Sequence, residues 1–300
     1  MVKRYLPAQL FPVALALVLT AVLLVTAASC TMATPAADRI SVVVTILPQA
    51  EFVESVGGEK VDITVMVPAG ADPHTYEPTP SQITALSRAK MYAKVGSGIE
   101  FELAWLDKLI AVNQDMLVVD CAQGVELHQM AGRDDGPHGA TDPHIWMSPL
   151  NAQIMVRNIC AGLIQIDPDN QAYYRKNCNA YLHKLTQLDQ DIRAGLSRVT
   201  NRTFMVYHPA FSYFARDYGL TMLTIAAEGK EPTPAGLVRL TQQAKEHKIR
   251  VIFASPQFNP ESARVIADAI NARVVFINPL ARDYIANLRL FLAELIPALE

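Results

Sequence analysis

Cysteine is scarce in this chain: four among 300 residues, too few for a disulfide-built scaffold. There is no basic excess either. Lys and Arg number 26 against 29 Asp and Glu, for a net charge of −3, which argues against a nucleic-acid partner. Glycine-rich phosphate cradles are missing; Gly96-Ser97-Gly98 comes nearest and lacks the third glycine and the lysine of nucleotide-binding loops. The tight HExxH metal spacing is absent, and Ser212 and Ser255 stand in no nucleophile elbow. What remains is a core-forming composition, 51% hydrophobic and 18% charged, with a length that suits two lobes.

One long apolar run occurs, near the start. Lys3 and Arg4 precede it, and no further charge follows until Asp38. A basic head, an apolar stretch and the small residues Ala27-Ala28-Ser29 describe a signal peptide over residues 1–29. Cys30 then stands where a lipobox places the lipidated first residue of the mature chain. The competing reading is an uncleaved anchor helix, because the run approaches the ~20 residues that span a bilayer. On either reading the rest is exported and anchored at the outer face of the cytoplasmic membrane, or periplasmic, with residues 30–39 as a tether.

Beyond the tether, runs rich in β-branched residues recur at Ile40–Leu47, Val61–Val67, Met91–Val95 and Met116–Val119. They recur again at Thr203–Tyr207, Thr221–Ile225, Val251–Ala254 and Val274–Ile277. Helical stretches alternate with them, which predicts an α/β fold of two lobes, each a mainly parallel sheet flanked by helices. Four helix starts are marked by a capping residue before proline: Thr79-Pro80 (with Gln82 completing a capping box), Ser148-Pro149, Thr233-Pro234 and Asn259-Pro260. Between the two sets of strands, Tyr181, Leu185, Leu188, Ile192, Leu196 and Val199 step at helical spacing. The expected division is an N-terminal lobe over 40–166, one long rigid helix over 167–199 and a C-terminal lobe over 200–300.

Three of the seven histidines share a setting: Asp72-Pro73-His74, Asp142-Pro143-His144 and Tyr207-His208-Pro209. His74 and His208 follow strands, so they fall at the carboxyl edges where open α/β sheets bind ligands; His144 sits on a loop able to reach that edge. Imidazole suits zinc, copper, iron and nickel, and the neighbouring prolines stiffen the backbone that carries each ring. Any single histidine of this kind is more often a surface or satisfied residue; three in matching places is the signal. His128, His138, His183 and His247 read as ordinary, His138 within a solvated loop. Trp105 and Trp146 read as core or cleft-lining residues. Cys121, Cys160 and Cys178 leave an odd thiol count, with Cys160 and Cys178 on successive helices.

The segments DPHTYEPTPSQ (72–82), DPHIWMSP (142–149), YHPAFSYFARDYGL (207–220) and EPTPAGL (231–237) strongly resemble the cluster A-I solute-binding proteins. These are the zinc and manganese lipoproteins of bacterial and archaeal ABC importers. The resemblance implies two lobes joined by a rigid helix, a metal in the cleft, and delivery to an ABC permease and its ATPase by a monomeric, non-enzymatic receptor. His74 and His144 match the family's N-terminal-lobe ligands, and His208 matches the first ligand of the C-terminal lobe. Many members place an aspartate at the fourth position, where this chain has Asn278. The preferred shell is therefore three histidines completed by water or Asn278; Glu228, shortly after a strand, is a further candidate oxygen donor, and Asp283 has Arg282 beside it as a ready ion-pair partner. Nitrogen-rich ligation favours Zn2+ over the alternative, Mn2+. Other classes weighed are a three-histidine zinc hydrolase, with Glu77 as its best general base, and an adhesin.

Overall fold

The computed structural model describes residues 39–128, 141–226 and 231–300. The signal segment with Cys30, His138 and Glu228 lie outside the described residues. Strands β1 (Ile40–Val44), β2 (Val61–Val65), β3 (Met91–Lys94) and β4 (Leu117–Asp120) form one sheet in the order β2-β1-β3-β4. Strands β5 (Thr203–Val206), β6 (Thr221–Thr224), β7 (Val251–Ala254) and β8 (Arg273–Phe276) repeat that order as β6-β5-β7-β8. Every pairing is parallel; Ile40 lies opposite Val61, and Val42 opposite Met91. Crossovers between parallel strands need helices, which cover both faces.

All eight predicted strands form; β7 keeps its expected bounds and the other seven are trimmed or shifted by one to three residues. The run expected through Leu47 stops at Val44 because the Thr45 and Ile46 N–H groups donate to Gln49 Oε1 at 3.1 and 3.2 Å. That turns the chain out of the ladder and into α1 (Leu47–Gly57). α2 (Pro80–Leu86), α4 (Pro149–Ile166) and α7 (Pro234–Glu246) begin as expected, with Thr79, Ser148 and Thr233 each accepting from a backbone N–H of the first turn. The fourth marker differs. Asn259 Oδ1 accepts from Glu261 N–H at 3.0 Å, so Pro260 stands at the cap and α8 runs Glu261–Ile270. The remaining helices are α3 (Glu100–Val112), α6 (Ser212–Tyr218) and α9 (Tyr284–Leu299).

The long helix α5 covers Gln171–Leu196, 26 residues or about 39 Å at 1.5 Å per residue. It starts later than Asp167 because Pro168–Asn170 form a 3-10 turn. Asp167 Oδ2 closes that turn, accepting from Asn170 Nδ2 at 2.8 Å and from Tyr174 Oη–H at 2.6 Å. At the far end the Arg202 guanidinium donates to Leu196 O at 2.8 Å. The buried stripe Tyr174, Cys178, Tyr181, Leu185, Leu188, Ile192 and Leu196 packs on α1 and α4 from one lobe and on α9 from the other. One core therefore runs through both lobes. In β5, Phe204 and Val206 face it, while Met205 and, just past the strand, Tyr207 face a smaller cluster under α7 and α8. Cys121, Cys160 and Cys178 are buried and free; Cys160 and Cys178 stand on α4 and α5 without a bridge, and the Cys160 thiol donates to Tyr174 O at 3.8 Å.

Candidate metal centre

Parallel strands share one carboxyl edge, and residues following β2, β3, β5, β7 and β8 line a single cavity between the lobes. His74 and His144 reach it from the same local device. Asp72 Oδ1 accepts His74 N–H at 3.0 Å, and Asp142 Oδ1 accepts His144 N–H at 2.9 Å, so each Asp-Pro-His folds into the same tight turn. The rings then part company. His144 Nδ1 lies 2.7 Å from Asp142 Oδ1, whereas His74 Nδ1 lies 3.1 Å from Glu100 Oε1 and its Nε2 is 4.0 Å from Asp72. Glu100 is the first residue of α3, held over the cavity by the turn at Gly96–Gly98. Both glycines have positive φ, 82° and 91°, and a Cβ on Gly96 would meet Asp120 Oδ1 at 2.0 Å. Ser97 in that turn donates to Pro143 O at 2.5 Å, tying it to the His144 loop.

His208 comes directly off β5. Its ring stacks on Phe258 at 4.6 Å and is edge-on to His144 and His74 at 5.0 and 5.5 Å between centroids. His144 and His208 are each 7% exposed; the His74 side chain, at 29%, forms the rim. The Nε2 atoms of His144 and His208 are 3.1 Å apart. Two nitrogens on a tetrahedral zinc, each about 2.0–2.1 Å from the ion, would stand roughly 3.3 Å apart. Since Asp142 takes the Nδ1 proton of His144, the His144 Nε2 lone pair faces the cavity. Among the described residues, no group of three or more His, Cys, Asp or Glu already stands in metal-holding geometry. Closing a shell needs the His144–His208 hydrogen bond exchanged for the ion and the His74 ring drawn in.

The cavity measures about 30 Å³, the space of an ion with a water. Burial, followed by the charges of His144 and His74, pushes His208 down to about 2, keeping it neutral. Burial alone would raise Asp142, but the charge and hydrogen bonds of His144, with the bond from Ser212, hold it below the ordinary carboxylate range. Glu100 is likewise held low, burial being outweighed by the hydrogen bond and charge of His74. Its Oε2 is buried without a hydrogen-bond partner among the described residues.

Asn278 is not among the lining residues. Its Oδ1 accepts from Gln257 Nε2 at 2.6 Å and Leu280 N–H at 2.9 Å, and Gln257 and Leu280 themselves form the wall. Asp283 and Glu77 also stand outside the cavity lining. Arg282 pairs with Glu54 at 2.8 Å rather than with Asp283. Trp146 lines the cavity and donates to Pro279 O of the other lobe at 2.9 Å. Sequence reasoning passed over Glu100, Phe258 and the part played by Ser212. Only Asp142 carried a legible signal, in the repeated aspartate two residues before a histidine.

Two parallel sheets facing one cleft, a long helix shared by both, and an ion-sized cavity walled by imidazoles from each lobe define a two-lobed solute-binding protein. The chain belongs to the family of the periplasmic zinc-uptake complex component A, whose model matches residues 42–297. It is similar to the high-affinity zinc uptake system protein ZnuA of Bacillus subtilis (strain 168), 32% identical over 255 residues, 81% of this chain and 79% of that one. The zinc-binding lipoprotein AdcA of Streptococcus pneumoniae (strain R6) is 29% identical over 84% of this chain, which spans 52% of that protein. The crystal structure of ZnuA superposes with a TM-score of 0.83 at 39% identity, covering 88% of this chain and 100% of the other.

Proposed function

We propose that this protein captures Zn2+ between its lobes through His74, His144 and His208 and delivers it to the permease of an ABC importer. The observation that carries the reading is the pair of imidazole nitrogens from opposite lobes, 3.1 Å apart at a cavity of about 30 Å³. Water completes the tetrahedron, because the Asn278 amide oxygen is already engaged by its neighbours. Neutral nitrogen donors favour zinc over manganese, which prefers oxygen. The same cavity weighs against the hydrolase reading: organic ligands occupy sites of roughly 300–1,000 Å³. Glu77 is exposed and outside the lining. The relatives named for zinc uptake and zinc binding support the cargo. Export and attachment follow from the segment 1–29 and lipidated Cys30, with lobes over 40–166 and 200–300 joined by the segment 167–199 that carries the long helix.

Competitive titration of the full chain against chromophoric chelators tests the assignment. One Zn2+ should bind per chain, in preference to Mn2+. His208→Ala should weaken it by more than the roughly 10–100-fold typical of losing a partner behind a ligand. Unchanged zinc affinity in that variant, or a preference for manganese, would overturn the three-histidine reading.

A further inference from the structure

We infer that Asp142 couples the spacing of the two lobes to the pose of His144, with Ser212 and Tyr213 as the positioning residues that transmit it. The inference rests on the zinc reading above and adds how the site is loosened. Both oxygens of the Asp142 carboxylate are engaged, from different lobes. Oδ1 accepts from the His144 backbone N–H and stands against its Nδ1. Oδ2 accepts the Ser212 hydroxyl. The Asp142 backbone carbonyl accepts from Tyr213 Oη–H at 2.8 Å. Two consecutive residues opening the C-terminal-lobe helix α6 thus hold one N-terminal-lobe residue by side chain and main chain. Asp142 is 4% exposed and Tyr213 fully buried, so water does not substitute for the Tyr213 bond while the lobes are together; the Ser212 bond is partly buried.

The first Asp-Pro-His shows the contrast. His74 leans on Glu100, which belongs to its own lobe. Its carboxylate partner therefore moves with it, whereas the carboxylate partner of His144 loses a bond when the lobes part. Ser212 lies four residues after His208, so one short segment carries both a ligand and the clamp. Drawing the C-terminal lobe back withdraws His208 and removes the donor on Oδ2 in the same movement. The carboxylate is then free to rotate, and the imidazole it aims loses its fixed direction. A small displacement therefore weakens two ligands together, and no wide opening is needed.

The test uses the full chain and three variants, Ser212→Ala, Ser212→Thr and Tyr213→Phe. Zinc dissociation into excess chelator is followed by stopped flow, and the His144 ring nitrogens by 15N NMR in metal-free and zinc-loaded protein. Ser212→Ala should speed dissociation about 10-fold and broaden the His144 Nδ1–H signal. Ser212→Thr, which keeps the hydroxyl, should restore both, and Tyr213→Phe should shift them the same way as Ser212→Ala. Wild-type rates and His144 signals in both Ser212→Ala and Tyr213→Phe would overturn the coupling and leave zinc capture standing. A loss of thermal stability alone counts as that same overturning result. Should the wild type bind no zinc, the earlier reading falls, while the His144 signal of metal-free Ser212→Ala still decides this one.

Discussion

His74 and His144 start from the same tripeptide and end with different carboxylates, and the difference sets how firmly each is aimed. Asp142 reaches the ring of His144 within its own turn; Asp72 stops 4.0 Å short of His74, and Glu100 takes over from another loop. An acceptor on one ring nitrogen fixes the tautomer and raises the donor strength of the other. Glutamine at position 100 keeps an oxygen for the His74 ring and removes the charge. Glu100→Gln should lower zinc affinity about 10-fold by chelator competition, with little change in metal-free stability. An affinity equal to wild type would mean that His74 is oriented by something else. Glu100 is hidden from sequence reasoning because Gly96-Ser97-Gly98 before it fails as a phosphate cradle and points to no ligand, and nothing in a linear pattern says that α3 opens over the β2 loop.

At the scale of elements, the loop carrying His74 is fastened by α2. Thr79 and Gln82 form the capping box, and Gln82 Nε2 reaches back to Val65 O at 2.9 Å and Met66 O at 2.6 Å. The helix start and the end of β2 are thereby clamped on either side of residues 67–78. Gln82→Ala strips these bonds, leaving carbonyls at a strand end without donors. We expect a loss of about 1–2 kcal/mol in urea unfolding and faster amide exchange across residues 71–76; protection at the wild-type level would refute the clamp. The capping box was legible because both its residues belong to one local motif. The eight strands were legible because runs of β-branched residues mark them, but their ends were not. Gln49 ending β1, Asn259 displacing Pro260 and Asp167 closing a 3-10 turn are side-chain choices that periodicity does not encode. The three histidines were legible because each sits beside a proline, His74 and His208 at predictable strand edges and His144 on a loop able to reach them. Other groups that aim them come from distant segments: Glu100 onto His74, Ser212 onto Asp142 and Phe258 onto His208.

For the whole molecule, polar bonds accompany the apolar packing that joins the lobes and the long helix. Trp146 donates to Pro279 O, Ser148 to Asp217, and Glu51 accepts from Tyr181 and from Tyr284 N–H. The exposed Arg282–Glu54 pair adds at most about 1 kcal/mol. Acid acts on this assembly from opposite directions. Burial raises Glu51 and Glu102 above the ordinary range, so each favours the folded state as pH falls through its titration. His208 works the other way. Burial first, and then the neighbouring histidines, depress it to about 2, so an unfolded chain takes up a proton near pH 6.5 that the folded chain refuses. Its contribution is complete above pH 6.5 and drains away as pH falls from there toward 2. Absolute stability mixes these terms, but a comparison with His208→Phe isolates one, because the glutamates are common to both proteins. Between pH 6 and 4, metal-free wild type should lose about 1 kcal/mol per pH unit more than His208→Phe in urea unfolding. Parallel pH profiles for the two proteins would show that His208 accepts a proton without unfolding, and that burial does not keep its imidazole neutral.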